Sequence, residues 1–337
     1  MPQHIFQYQK TFTLESGTTL PEIEIAYHTY GNFEAGKSKV VWVCHALTAN
    51  SDAADWWKGL VGENDFFSPS GYFIVCANVL GSCYGTTGAL SSNAETGKPY
   101  YSEFPHVTIK DMVQAHILLR KQLGIEKIHV AIGGSLGGQQ VLEWAVTEPD
   151  VFENIIPIAT NARHSAWGIA FNEAQRMALK ADSTWGNESE HAANEGLKAA
   201  RAIAMLSYRH YNTFQQTQTD TENKADNFKA SSYQQYQGEK LAKRFNAYAY
   251  YTLSKAMDSH NVARGRNYSV EEILKTIKAR ACCIGLNTDI LYPPHEQQFL
   301  AQHIPNAEYK EIETLFGHDG FLLEFQQLTG ILREFLK

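Results

Sequence analysis

Lys127-Ile128-His129-Val130-Ala131-Ile132-Gly133-Gly134-Ser135-Leu136-Gly137-Gly138 decides the reading of this chain. The first six residues form an apolar, β-branched run of strand length, and helical periodicity begins at Gly138 and continues to Val146. Between them stands Gly-x-Ser-x-Gly. A serine at a strand-to-helix turn is held in a strained backbone conformation, with small neighbours where strand and helix nearly touch, and its hydroxyl stands exposed at the helix N-terminus. The alternative is a glycine-rich structural turn. Strand, elbow and helix in that order favour a nucleophile at Ser135.

Similar runs lie on both sides: Val40–Cys44, Tyr72–Cys76, Ile155–Ile158 and Ala281–Gly285. Continuous apolar runs of this kind are strands buried on both faces, as in a parallel sheet covered by helices. With the helical pattern of Ile109–Leu123 they predict an α/β fold with a mostly parallel, doubly wound sheet and helices on both faces. From Asn161 to Asn267 the pattern is helix-forming without a buried strand. We therefore expect a core domain of residues 1–160 and 268–337 with a helical lid, 161–267, inserted in it. The polar segment Tyr211–Gly238, rich in Gln, Thr, Asn, Lys and Ser, is expected to include an exposed or mobile loop.

The composition, 44% hydrophobic and 19% charged, is that of a packed globular protein. A net charge of −7 without a basic run argues against nucleic acid and for a small-molecule substrate. The five cysteines, Cys44, Cys76, Cys83, Cys282 and Cys283, lack zinc-type spacing and are expected as reduced thiols in a cytoplasmic protein. No metal is implied, since His45, His106 and His116 are scattered. Met1–Lys10 lacks a basic segment followed by an apolar one, and no run reaches membrane-span length, so neither export nor a membrane is expected.

A serine hydroxyl at neutral pH needs a base oriented by an acid. On a strand–elbow–helix scaffold these come later in the chain, each in a loop after a strand. Asp289 follows the strand ending near Leu286, and His318 follows the strand-like stretch Glu308–Glu313, in Phe316-Gly317-His318-Asp319-Gly320. Taken singly, the Asp reads as a turn cap and the His as a loop residue. Their order and placement predict a triad. Two backbone N–H groups must meet the charge on the acyl oxygen. We assign one to Leu136, beside the nucleophile, and the other to Leu47, in His45-Ala46-Leu47-Thr48 after the strand ending at Cys44.

The motifs together resemble the homoserine O-acetyltransferases. The resemblance runs through Cys44–Thr48, the loop Asn78–Gly88 with its Gly85-Thr86-Thr87-Gly88, Glu95–Tyr100 and Phe104-Pro105, and through Gly133–Gly138 with Leu142–Ala145. It continues in Ala166–Arg176, Tyr208-Arg209, Asp289–Pro293 and Gly317–Leu322. It implies an α/β-hydrolase fold and a ping-pong reaction with no cofactor, in which acetyl-CoA as co-substrate acylates Ser135 and L-homoserine takes the group. It also implies His318 as general base and acid, Asp289 as its orienter, Arg209 and Asp319 as the groups that recognise the amino acid, and a homodimer through the lid helices. Arg209 alone reads as an ordinary lid-surface charge, but a guanidinium suits a carboxylate and a carboxylate suits an ammonium. A succinyl donor, serine as acceptor, an esterase that uses water, and a non-catalytic protein of the same fold are the competing readings.

Overall fold

A computed structural model describes residues 3–337, so the first two positions of the Met1–Lys10 start lie outside the described residues. Eight strands form one sheet: β1 His4–Tyr8, β2 Ile23–Tyr30, β3 Val40–Cys44, β4 Phe73–Ala77, β5 Ile128–Gly134, β6 Phe152–Ile158, β7 Arg280–Leu286 and β8 Ala307–Ile312. Their order across the sheet is β1-β2-β4-β3-β5-β6-β7-β8. From β4 to β8 every pairing is parallel, while β2 runs antiparallel to both β1 and β4. β1 and β2 did not figure among the expected strands. β2 alternates its burial, as a strand with one covered face does, and lacks the continuous apolar run that marks a doubly buried strand.

Two apolar clusters fill the space on the two faces of the sheet, one around Trp42, Trp144 and Ile155, the other around Val43, Trp57 and Ile132. Adjacent strand residues such as Trp42 and Val43 point to opposite faces, so both clusters draw on the same strands. On one face lie α1 Ile109–Gln122 and α2 Leu136–Thr147, which pack on each other. Thr108 and Asp111 close a reciprocal capping box at the start of α1.

Between β6 and β7 the described residues form five helices of eight residues or more: α3 Ala166–Ala181, α4 Asn194–Tyr208, α5 Tyr211–Gln218, α6 Lys229–Ala242 and α7 Ala247–Asp258. The expected loop within Tyr211–Gly238 shrinks to residues 219–228, with helix on both sides. The helices that flank it follow from Gln, Lys and Ala, which are good helix formers whatever their polarity. Tertiary contacts then hold the two helices: Phe214 meets Tyr233 edge-on at 5.7 Å, and a Cβ at Gly238 would lie 2.8 Å from the Lys198 carbonyl oxygen. After β7, α8 Pro294–His303 returns to the sheet, and α9 Phe325–Phe335 ends the fold. No helix among the described residues is long and apolar enough to cross a membrane.

Candidate active site

The parallel register sets the carboxyl ends of five strands side by side: Cys44 opposite Gly133, Gly134 opposite Ile158, Ile158 opposite Ile284, and Leu286 opposite Ile312. Ligands of open α/β sheets bind at this edge. Each predicted catalytic residue follows one of these strand ends.

Ser135 leaves β5 at φ 58° and ψ −123°, a conformation that costs a non-glycine residue about 1–3 kcal/mol. Two hydrogen bonds hold it there: the Ser135 N–H donates to the Ile158 carbonyl at 3.0 Å, and Thr160 Oγ1 donates to the Ser135 carbonyl at 2.9 Å. Gly137 lets α2 start against the end of β3, since a Cβ there would lie 2.1 Å from the Cys44 carbonyl oxygen.

His318 Nδ1–H donates to Asp289 Oδ2 at 2.6 Å, and both side chains are buried. Asp289 Oδ1 accepts the backbone N–H groups of Leu291 and Tyr292 at 2.8 and 2.9 Å. A carboxylate can only accept, so the proton sits on Nδ1 and Nε2 is left as the basic atom. The two loops are tied by Thr288, whose Oγ1 donates to the Thr314 carbonyl at 2.8 Å and accepts from the Gly317 N–H at 3.1 Å. Gly317 has φ 62°, and a Cβ there would lie 3.0 Å from the Tyr208 carbonyl oxygen and the His210 nitrogen, so the lid rests directly on the histidine loop.

The His318 ring packs against Tyr292, near-parallel at 5.2 Å, and against Tyr208 at 5.6 Å. Burial alone would hold the imidazolium down. The charge and hydrogen bond of Asp289, with a contribution from Asp319, outweigh it and raise the His318 pKa above its ordinary value. Asp319 is itself raised by burial, against the opposing pull of Arg209, Arg201 and His318.

The cavity at this edge has a volume of about 370 Å³, and Ser135, His318, Asp319, Leu47 and Tyr208 are among its lining residues. A larger cavity, about 1010 Å³, lies between the ends of the lid and α8 and is lined by none of Ser135, Asp289 and His318. Chemistry rather than size locates the site. Neither the Leu47 nor the Leu136 backbone N–H has a protein acceptor among the described residues. Both residues are buried, where an N–H is nearly always paired. Arg209 Nε lies 3.0 Å from Asp319 Oδ2, too poorly aligned for a hydrogen bond and so a charge contact. The two residues expected to meet a zwitterion thus meet each other in this structure.

The family model for the alpha/beta hydrolase fold matches residues 39–325. A homoserine O-acetyltransferase from Cyclobacterium marinum is 52% identical over 335 residues, which span 99% of this chain and 95% of that protein. The chain belongs to the homoserine O-acetyltransferase family. The crystal structure of the homoserine O-acetyltransferase from Bacillus anthracis superposes with a TM-score of 0.91 at 26% identity, covering 100% of this chain and 97% of that one. Esterase E22 shares the fold at a TM-score of 0.90 and 24% identity, over 100% of both chains.

In this homoserine O-acetyltransferase family member the lid adds residues that sequence reading passed over. Arg201, Lys240 and Arg244 line the cavity beside Ser135. Arg201 lies over the Tyr208 ring at 5.3 Å, and Arg244 Nη1 donates to the Thr48 carbonyl at 2.5 Å and to Tyr84 Oη at 2.6 Å. No local pattern marks them, since a basic residue in the lid looks alike whether it faces water or the site. Tyr292 and His45 stood in quoted motifs without an assigned role.

Proposed function

We propose that this chain transfers an acetyl group from acetyl-CoA to the side-chain hydroxyl of L-homoserine, through an acyl ester on Ser135. The observation that carries the reading is the Arg209–Asp319 pair at 3.0 Å, in which Asp319 directly follows His318, the partner of Asp289. An esterase has no use for a matched charge pair there, whereas a zwitterionic acceptor can exchange partners with both charges at once.

Ser135 Oγ attacks the thioester carbonyl as its proton passes to His318 Nε2. The oxyanion forms between the Leu47 and Leu136 N–H groups. Collapse breaks the C–S bond, and the proton goes from His318 to the departing thiolate. Homoserine then binds with its carboxylate on Arg209 and its ammonium on Asp319. Its hydroxyl gives a proton to His318 and attacks the ester, and collapse returns that proton to Ser135. Arg201, Lys240 and Arg244 make the lid side of the cavity cationic, which suits the phosphates of coenzyme A. The same reading places the reaction in the cytoplasm and pairs two copies through the lid, where Trp167, Met177, Leu206, Tyr211 and Tyr236 are exposed.

The test is a matrix of acetyl-CoA and succinyl-CoA against homoserine and serine, in the parent and in Arg209→Ala and Asp319→Ala. Acetyl-CoA with homoserine should be the preferred pair. A charged hydrogen bond contributes about 1.5–3 kcal/mol, so each variant should lose roughly ten- to a hundredfold in homoserine-dependent rate. Acylation of Ser135 without acceptor should stay nearly unchanged. Free acetate as the main product, at rates indifferent to homoserine, would instead mark an esterase.

A further inference from the structure

The carbonyl of the Ala46–Leu47 peptide meets a side chain outside the triad, that of His45. His45 is fully buried, and its two ring nitrogens have different partners. Nε2 lies 3.0 Å from the Val79 N–H and can only accept there; Nδ1 lies 2.9 Å from the Ala46 carbonyl and can only donate. These partners demand one neutral tautomer, with the proton on Nδ1. Burial keeps the ring neutral by pushing its pKa down to about 4, despite the opposing hydrogen bond to Ala46.

The Ala46 carbonyl also accepts the Ala49 N–H at 3.0 Å, so it is held from two sides. The Ala46–Leu47 peptide is trans, as is every described peptide bond, and in a trans peptide the N–H points opposite to the carbonyl. With the carbonyl turned toward His45 and Ala49, the Leu47 N–H is turned the other way, and it has no protein acceptor among the described residues. Ala46, Leu47 and Thr48 line the same cavity as Ser135. Gln140 Nε2 donates to the carbonyls of both His45 and Leu136 at 3.1 Å, which fixes the His45 segment against the start of α2. His116 Nε2 meets Gln140 Oε1 at 3.0 Å and orients the amide.

We infer that His45 is a positioning residue for acyl transfer: its Nδ1–H, by holding the Ala46 carbonyl, aims the Leu47 N–H at the developing oxyanion, while Gln140 sets the spacing to the Leu136 N–H. The inference rests on the proposed acyl-serine chemistry and adds to it a device that prepares the oxyanion site before substrate arrives. Removing one oxyanion donor typically costs about 10²–10³-fold in kcat, so misdirecting one should cost a large part of that.

Two substitutions separate the two contacts of His45. In His45→Asn the side-chain amide can stand where Nδ1 stands and still donate to Ala46, but nothing reaches Val79. In His45→Gln the side-chain oxygen can reach the Val79 N–H, but the donor to Ala46 is gone. The measurements are Tm, the single-turnover rate of Ser135 acylation by acetyl-CoA, KM for acetyl-CoA, and affinity for an alkylboronic acid that forms a tetrahedral adduct on the serine. We expect His45→Gln to lose about tenfold or more in acylation rate and in boronate affinity with KM little changed, and His45→Asn to keep most of both. If the two variants lose acylation in proportion to their loss of Tm, or if His45→Gln acylates like the parent, His45 is a packing residue and the inference fails. A parent protein that forms no acyl-enzyme at all would overturn the proposed function instead, so the two failures are distinguishable.

Discussion

Ser135→Ala should take up no acetyl group from acetyl-CoA and should turn over homoserine about a millionfold more slowly than the parent, or below detection. The expectation follows from geometry that no neighbour can replace: Ser135 alone stands at the end of β5 with φ 58°, at the N-terminus of α2 and beside the free N–H groups of Leu47 and Leu136. Loss of a triad nucleophile costs about that much because the remaining triad members have nothing to activate. Alanine removes one oxygen and adds no bulk at the elbow, so circular dichroism and Tm should stay close to the parent values. Intact-mass and peptide measurements after incubation with acetyl-CoA alone check the result. An acetyl adduct that persists in Ser135→Ala would assign the nucleophile to another residue.

Asp289→Asn should lower kcat by about ten-thousandfold with little change in KM, the loss seen when a triad carboxylate becomes an amide. Asp289 accepts from His318 Nδ1 through one oxygen and from two backbone N–H groups through the other. If the new amide keeps its oxygen toward the backbone, its NH₂ faces His318 and can only donate. The imidazole must then move its proton to Nε2, where the base is needed. The pH profile carries a second signature. His318 must be neutral to act as base, so kcat/KM should fall as the pH drops through its pKa, which lies above the ordinary value of 6.5. The Asp289 charge and hydrogen bond are what overcome burial at His318, so Asp289→Asn should move the acid limb of the residual activity to lower pH. Linkage has the matching sign: the His318–Asp289 pair stabilises the fold fully below about pH 6.5, and that contribution fades as the pH rises through the raised pKa. Near-parental kcat in Asp289→Asn would show that another carboxylate orients His318.

Much of this site was legible because backbone requirements carry it. The elbow at Ser135 needs Gly137 where α2 meets β3, and the doubly buried strands announce themselves as unbroken apolar runs such as Val40–Cys44. Once those strands are placed, parallel register brings Asp289 and His318 together even though they lie far along the chain from Ser135. Less was legible where context decides. β2 alternates its burial, so it lacked the signal used for its neighbours, and α5 and α6 are polar helices held by contacts such as Phe214 with Tyr233. Arg209 and Asp319 were expected to face a substrate, and the sequence held no hint that they face each other. Likewise, the role of His45 depends on which atoms surround each ring nitrogen, which composition and spacing do not encode.

The most direct test of acyl transfer through Ser135 is a chase of the isolated intermediate. The enzyme is acylated with ¹⁴C-acetyl-CoA, freed of donor by rapid gel filtration, and mixed with buffer, homoserine or serine. Label on Ser135 should move within one turnover to O-acetylhomoserine, orders of magnitude faster than its slow release as acetate in buffer, and should move poorly to serine. Label that leaves as acetate at the same rate with and without homoserine, or that never attaches to Ser135 while O-acetylhomoserine still forms, would contradict acyl transfer through Ser135.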